Sequence, residues 1–252
     1  MVKASKRLKA GDVIRLANGS ELTAEETVAA GRVRVRFPVA ESDLLRFLDT
    51  HGQPPLPPYI KAHGLAGEQD RTRYQTVYSR VPGSVAAPTA GLHFTEDLLA
   101  RLAARGIEIV RVTLHVGPGT FTPVRHEDVR LHVMESENYE ISEETAETLN
   151  RARKEGRRIV AVGTTTVRAL ESAATSEGVV ASGRASTNLF IIPGYSFKIV
   201  HNMITNFHLP ASTLLMLVCA LGGTEGMLRA YQEAINLKYL FYSYGDACLI
   251  LD

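Results

Sequence analysis

Near the start of the chain Val33, Val35 and Phe37 interleave with Arg32, Arg34 and Arg36. A period of two predicts a strand with one buried and one wet face. Val13 and Leu16 flank a shorter strand, so residues 1–40 read as a β module. Its three arginines form the outer side of a strand, or a set of cations for a phosphate backbone. Over residues 41–49 the period changes, and Leu44, Leu45 and Leu48 make the apolar stripe of a short helix. The run Gln53-Pro54-Pro55-Leu56-Pro57-Pro58-Tyr59-Ile60 excludes a helix and pins an extended path. A boundary belongs there, giving domains over residues 1–58 and 59–252, with a polar loop over 63–73.

From Tyr74 onward the pattern predicts strands and helices in alternation. Thr95 caps a helix with Glu96 and Asp97 in its first turn, Leu98, Leu99 and Leu102 inward, and Gly106 as its stop. Residues 107–116 follow as a strand. Ser142 caps a second helix through Ala146, Leu149 and Ala152 to Gly156, and residues 158–162 form the next strand. Residues 167–174 are helical, 189–192 are a strand stopped by Pro193-Gly194, and 199–207 are extended. Ser212 starts a nearly all-apolar helix, Thr224 caps another that runs to Leu237, and Cys248 opens a last strand. Such alternation implies an α/β fold, a mostly parallel sheet with flanking helices, joined to a small β module.

Composition narrows the function without choosing it. The chain has 252 residues, is 45% hydrophobic and 22% charged, and carries a net charge of +1, so no overall field grips a polyanion. The local exception is Arg151, Arg153, Lys154, Arg157 and Arg158, which reads either as a solvated helix end or as a nucleic-acid contact. Cys219 and Cys248 lie in apolar runs without ligand spacing and read as buried free thiols of a reducing cytoplasm. The longest apolar run, 214–221, is too short to span a bilayer, and no membrane association is expected. His126 and His132 are six apart and remote from the cysteines, which disfavours a zinc site, and no metal is expected.

The chemistry-bearing residues gather in short blocks where glycine, proline or threonine ends an apolar run. Gly163-Thr164-Thr165-Thr166-Val167-Arg168 follows a strand and opens a helix, so its N–H groups and hydroxyls can seat a carboxylate or phosphate, with Arg168 as a clamp. Plain helix capping is the other reading. Gly117-Pro118-Gly119-Thr120 allows close backbone approach to a ligand, or is only a tight turn. His93, His115 and His208 can each move a proton near neutrality, or each be a satisfied core imidazole. Asp246, beside Phe241, Tyr242 and Tyr244, can hold a ribose hydroxyl or simply close a turn.

The ordered blocks Pro55-Leu56-Pro57-Pro58-Tyr59-Ile60, Tyr74-Gln75-Thr76-Val77-Tyr78, Ala87-Pro88-Thr89-Ala90-Gly91-Leu92-His93-Phe94, Thr113-Leu114-His115-Val116-Gly117, Val162-Gly163-Thr164-Thr165, Pro193-Gly194-Tyr195, Thr205-Asn206-Phe207-His208-Leu209-Pro210 and Tyr244-Gly245-Asp246 cover residues 50–252. Together they resemble the S-adenosylmethionine:tRNA ribosyltransferase-isomerase family of queuosine biosynthesis. The resemblance implies a cytoplasmic, monomeric transferase that moves the ribosyl part of S-adenosylmethionine to 7-aminomethyl-7-deazaguanine at the tRNA wobble position. Epoxyqueuosine-tRNA forms, and adenine and methionine leave. It also implies an α/β domain with an inserted small β-barrel, of which residues before about 50 are the latter, incomplete part. The expected catalytic residues are His93, His115, His208 and Asp246. Those expected at S-adenosylmethionine are Thr89, Gly91, Gly117, Gly119, Thr120, Gly163, Thr164, Thr165, Arg168 and Asn206.

The chain departs from that family at several points. Family members carry a further N-terminal segment, with the first part of the α/β domain and the opening of the barrel; Met1 here falls inside the barrel-like region. A misplaced start, a fragment and a shortened form that has lost part of the pocket are the readings this leaves. Glu135 replaces a usual histidine, and Asn188 and His201 each replace an aspartate. The competing expectation is a homologue without activity that serves as a tRNA- or protein-binding scaffold. A methyltransferase lacks its glycine-spaced loop here, and a pure RNA-binding module lacks its basic stripe.

Overall fold

A computed structural model describes residues 8–28, 32–52, 56, 60, 70–117 and 128–252. The chain divides into two compact units, residues 1–55 and 56–252.

In the first unit β1 (Val13–Arg15), β2 (Glu21–Val28) and β3 (Arg32–Arg36) form an antiparallel sheet in that order, followed by helix α1 (Glu41–His51). The period-two reading of β3 holds: Val33 and Val35 are half-buried between exposed arginines. Those arginines have intramolecular work. Arg36 pairs with Glu25 at 2.6 Å and Arg34 pairs with Glu26, so two cations of the strand face acids of its neighbour. No closed barrel is present among the described residues. The apolar stripe of α1 is not buried: Leu45 is 54% exposed and Leu48 41%, while Phe47 packs edge-on against Phe37 at 5.7 Å.

The second unit carries two three-stranded sheets. The first has β4 (Thr113–His115), β5 (Glu137–Ile141) and β7 (Gly183–Thr187), paired antiparallel throughout. The second has β6 (Val160–Val162), β8 (Asn202–Asn206) and β9 (Ala247–Ile250). Only β6 and β8 run parallel among the described pairs, which corrects the mostly parallel sheet that the alternation predicted. The alternation itself is real, but β5 and β6, on either side of a helix, belong to different sheets. Residues 107–112 and the apolar run 189–192 do not join a sheet.

The helices follow their end signals. α2 (Glu96–Ala104) is capped by Thr95, whose side chain accepts from the Leu98 N–H, and α3 (Glu143–Lys154) by Ser142, which accepts from Thr145. α4 (Thr164–Ala173) begins directly after Gly163, three residues before its predicted start. α5 (Thr213–Gly222) is capped by Ser212, and α6 (Thr224–Asn236) starts after Gly223, which takes the cap position expected of Thr224. The main core joins these layers through Val167, Val200, Met203 and Val218, all fully buried. Among the described residues no single helix is long and apolar enough to cross a membrane.

Candidate active site

The parallel pair β6·β8 sets the position of the site, because ligands of α/β sheets bind beyond the carboxyl ends of parallel strands. Val162 lies beside Ile204, and the Gly163 N–H continues the ladder to the Ile204 carbonyl at 2.8 Å. Gly163 therefore turns the chain into α4 next to Thr205 and Asn206. Its φ of +90° lies where side-chain-bearing residues are strained, which explains glycine at this junction. Register also places Ala247 beside Asn206, so Asp246 stands at the same end of the sheet. Four of the sequence blocks thus meet here, the fourth being the 3-10 turn Thr89–His93.

Asn206 is the joint. Its side chain is 2% exposed; Oδ1 accepts from the Thr89 hydroxyl at 3.0 Å, and Nδ2 contacts His93 Nε2 at 3.1 Å and donates to the Tyr242 carbonyl at 3.1 Å. His208 lies two residues on, with Nε2 2.8 Å from the Thr205 hydroxyl and its backbone N–H donating to the Tyr231 hydroxyl at 3.1 Å. Burial lowers the His208 imidazole to about 4 and raises the Tyr231 phenol to about 12, so both are neutral at pH 7. His208 accordingly has no proton to give near neutrality. Asp246 Oδ2 accepts from the Leu240 N–H at 2.7 Å and closes the turn over residues 240–246.

Other expected residues stand differently. Thr164 is buried and Thr165 half-buried in the first turn of α4, where free N–H groups face outward from the helix start. Arg168 is engaged within the protein. Its guanidinium is 2.8 Å from Glu137 and Nε donates to the Leu189 carbonyl at 3.1 Å, with both charged side chains 5% exposed. It braces α4 against β5. Burial pulls its pKa down and the Glu137 charge opposes this. Gly91 is also accounted for by packing, since a Cβ there would collide with the Tyr78 hydroxyl. Burial raises the pKa of that phenol, against a smaller lowering from Arg111.

His115 belongs to the other sheet, where it pairs in register with Asn138 and its Nδ1 lies against Gly83. The link to the first cluster is through backbone: Val85 N–H donates to the Val116 carbonyl at 2.9 Å, and Ser84 Oγ accepts from the Val116 N–H at 2.9 Å. The segment leading into the Thr89–His93 turn is thereby fastened to the end of β4. Among the described residues, no atom lies within 4 Å of a Cβ built on Gly117. Gly119, Thr120 and His126 lie outside the described residues.

Residues that sequence reasoning missed are mostly polar groups holding this frame. Glu171 is fully buried and accepts from the backbone N–H groups of Lys198, Ile199 and Val200 and from the Tyr195 hydroxyl. An acid in register with Val167, Leu170 and Ala174 on the inward face of α4 was the available signal. Tyr244 donates to the buried Asp70 at 2.7 Å, and Tyr74 packs edge-on to Tyr244 at 6.0 Å. Among the described residues, no group of three or more His, Cys, Asp or Glu side chains is placed to hold a metal ion.

Comparison with known proteins bears on what this geometry serves. Residues 1–250 match the family model described as "Queuosine biosynthesis protein". A relative from Methylocella silvestris, named S-adenosylmethionine:tRNA ribosyltransferase-isomerase, is 51% identical across 99% of this chain and 70% of its own length. A relative of the same name from Anaeromyxobacter sp. (strain K) is 53% identical across 100% of this chain and 72% of its own. The crystal structure of an S-adenosylmethionine tRNA ribosyltransferase from Thermotoga maritima matches 97% of this chain and 67% of that one, with 31% identity and a TM-score of 0.53.

Proposed function

The chain belongs to the queuosine biosynthesis protein family, and from that membership we infer that it is an enzyme, an S-adenosylmethionine:tRNA ribosyltransferase-isomerase. The substrates are S-adenosylmethionine and a tRNA carrying 7-aminomethyl-7-deazaguanine at the wobble position, and the working compartment is the cytoplasm. The ribosyl unit becomes an epoxycyclopentanediol on the base, and adenine and methionine leave. A scaffold without activity is not favoured by half-identity over the whole chain. The observation that carries the reading is the meeting of Thr89, His93, Gly163, Asn206 and Asp246 at the carboxyl end of the parallel pair.

The sulfonium of the substrate acidifies the adjacent C5′ protons, so the site needs a base, donors for the departing groups and hydroxyl acceptors. The first turn of α4, with Thr164 and Thr165, offers N–H groups to the methionine carboxylate. Asp246 keeps its second carboxylate oxygen for a ribose hydroxyl while the first holds the turn. His115, two residues before Gly117, is assigned as the proton acceptor. The three-stranded sheet of the first unit is read as the latter part of the family's inserted barrel, and residues 59–252 as the catalytic domain.

The tRNA needs phosphate contacts, and an open groove of about 250 Å³, lined by Arg153, Arg157, Arg158, Lys198 and His201, lies where β6 and β8 begin. Asp252 lines it too. The groove is assigned to the tRNA backbone. The overall reading is tested by incubating the full chain with the modified tRNA and excess S-adenosylmethionine. Adenine release with epoxyqueuosine in the tRNA digest is expected; a methylated product, or no saturable S-adenosylmethionine binding, overturns it.

A further inference from the structure

Asn206 joins three partners whose hydrogen-bonding capacities are unequal, and that inequality fixes a proton. The Tyr242 carbonyl can only accept, so the Asn206 atom 3.1 Å from it is the amide nitrogen. The opposite end of the amide is then oxygen, which agrees with the Thr89 hydroxyl donating to it at 3.0 Å. The nitrogen's second hydrogen points at His93 Nε2, 3.1 Å away. A nitrogen that receives an N–H carries no hydrogen of its own, so neutral His93 must hold its proton on Nδ1.

We propose that Asn206 is a positioning residue that locks His93 in the Nδ1–H form, so that His93 meets the substrate as a neutral hydrogen-bond donor and not as the base. This rests on the transferase reading for its purpose, though not for its geometry. Asn206 sits in β8 at 2% exposure and Thr89 in the facing turn, so the amide is held from both sides and does not rotate to suit the imidazole. The same amide holds Tyr242 at a φ of +76°, a conformation a tyrosine adopts only when its surroundings impose it. An acceptor on the nucleoside, the purine as it leaves or a ring oxygen as the ribose opens, is the group such a donor serves. No bond is made or broken by Asn206 itself.

The test is the tautomer of His93 in the substrate-free, 15N-labelled full chain, read from two-bond 1H–15N correlations and assigned by loss of the signal in His93→Gln. A pyridine-type Nε2 with a pyrrole-type Nδ1 is expected, and the reverse pattern overturns the proposal whether or not the enzyme is active. Asn206→Asp offers acceptors alone and should move the proton to Nε2, whereas Thr89→Val, which leaves the carbonyl of Tyr242 in place, should not. In turnover, Asn206→Asp should lower kcat by about 10²-fold, the usual scale of losing one preorganised hydrogen-bond donor, with little change in KM for S-adenosylmethionine. A raised KM with unchanged kcat would make Asn206 a substrate ligand and overturn the proposal. If Asn206→Asp does not fold, the wild-type tautomer still decides. If the wild type releases no adenine but shows the expected tautomer, the transferase reading fails and the lock stands.

Discussion

At the residue scale, the site is governed by which polar atoms are already engaged. His208 shows this through its pH dependence. Burial holds its folded pKa at about 4, below the usual 6.5, so the folded state binds fewer protons than the unfolded chain between those values. Its contribution to stability is therefore complete above pH 6.5 and is lost as pH falls toward 4. The full loss is at most about 3 kcal/mol, less whatever solvent screening removes. Thermal unfolding from pH 7.5 to 4 should show a steep decline in the wild type and a shallower one in His208→Gln; parallel curves would refute the assignment. Arg168 and Glu137 make a second case, a nearly dry ion pair at 2.8 Å. Glu137→Gln leaves a buried guanidinium uncompensated and should cost about 3–5 kcal/mol in urea unfolding, while Glu137→Leu combined with Arg168→Met should recover most of it. A loss under 1 kcal/mol in the single variant would mean that water reaches the pair. The sequence pointed to Arg168 because it lies about a turn into a helix that opens after a strand, but its partner comes from 31 residues earlier, on a strand that was not foreseen.

At the element scale, helices were legible and strands less so, for reasons visible in particular residues. Thr95, Ser142 and Ser212 cap helices with their side chains, and Gly106 and Gly156 end two of them with φ of +77° and +66°. These are local signals, written within one turn. β5 was missed because its inward positions are Glu137, Tyr139 and Ile141, and a carboxylate at the first of them breaks the apolar alternation. That acid is inward only because Arg168 meets it there. β7 is exposed at its first four positions and carries no apolar face, whereas Leu189 to Ile192 is apolar yet contributes to packing without pairing. The β6–α4 junction gives the element-scale prediction. A Cβ on Gly163 would come no closer than 3.9 Å to the Ala90 Cβ, so Gly163→Ala meets room but also a φ of +90°. Its cost is then backbone strain alone, about 1–3 kcal/mol. Differential scanning calorimetry should show the lowered Tm, and calorimetric titration a weaker hold on S-adenosylmethionine as the helix start shifts. Unaltered stability would show that the junction has another conformation open to it.

At the scale of the whole molecule, a chain with net charge +1 must handle a polyanion by arranging a few charges well. Part of the basic run at the end of α3 is internal: Arg151 and Arg157 both pair with Glu108, at 2.6 and 2.9 Å, and Arg157 also with Glu155. Those contacts lower the Glu108 pKa, chiefly through its hydrogen bond to Arg157, and satisfy the simpler reading of the run for these two residues. Arg153 and Arg158, with Arg157 beside them, line the groove at the opposite end of the sheet from His93 and Asn206, where Lys198 is tied to the Glu171 and Ala174 carbonyls. The separation matters, because a tRNA that presents one base to the carboxyl end of the strands can still be held by its phosphates elsewhere. Arg158→Glu combined with Arg153→Glu should raise KM for the modified tRNA about 10-fold or more at low salt and reduce the slope of log affinity against log salt by about 2, one for each lost phosphate contact. S-adenosylmethionine binding and kcat at saturating tRNA should stay at wild-type values, since neither arginine belongs to the cluster around Asn206. Filter-binding across a salt series checks the first pair of expectations and steady-state kinetics the second. An unchanged salt slope would leave the groove as a solvated helix end, and the tRNA would then have to be gripped through other surfaces.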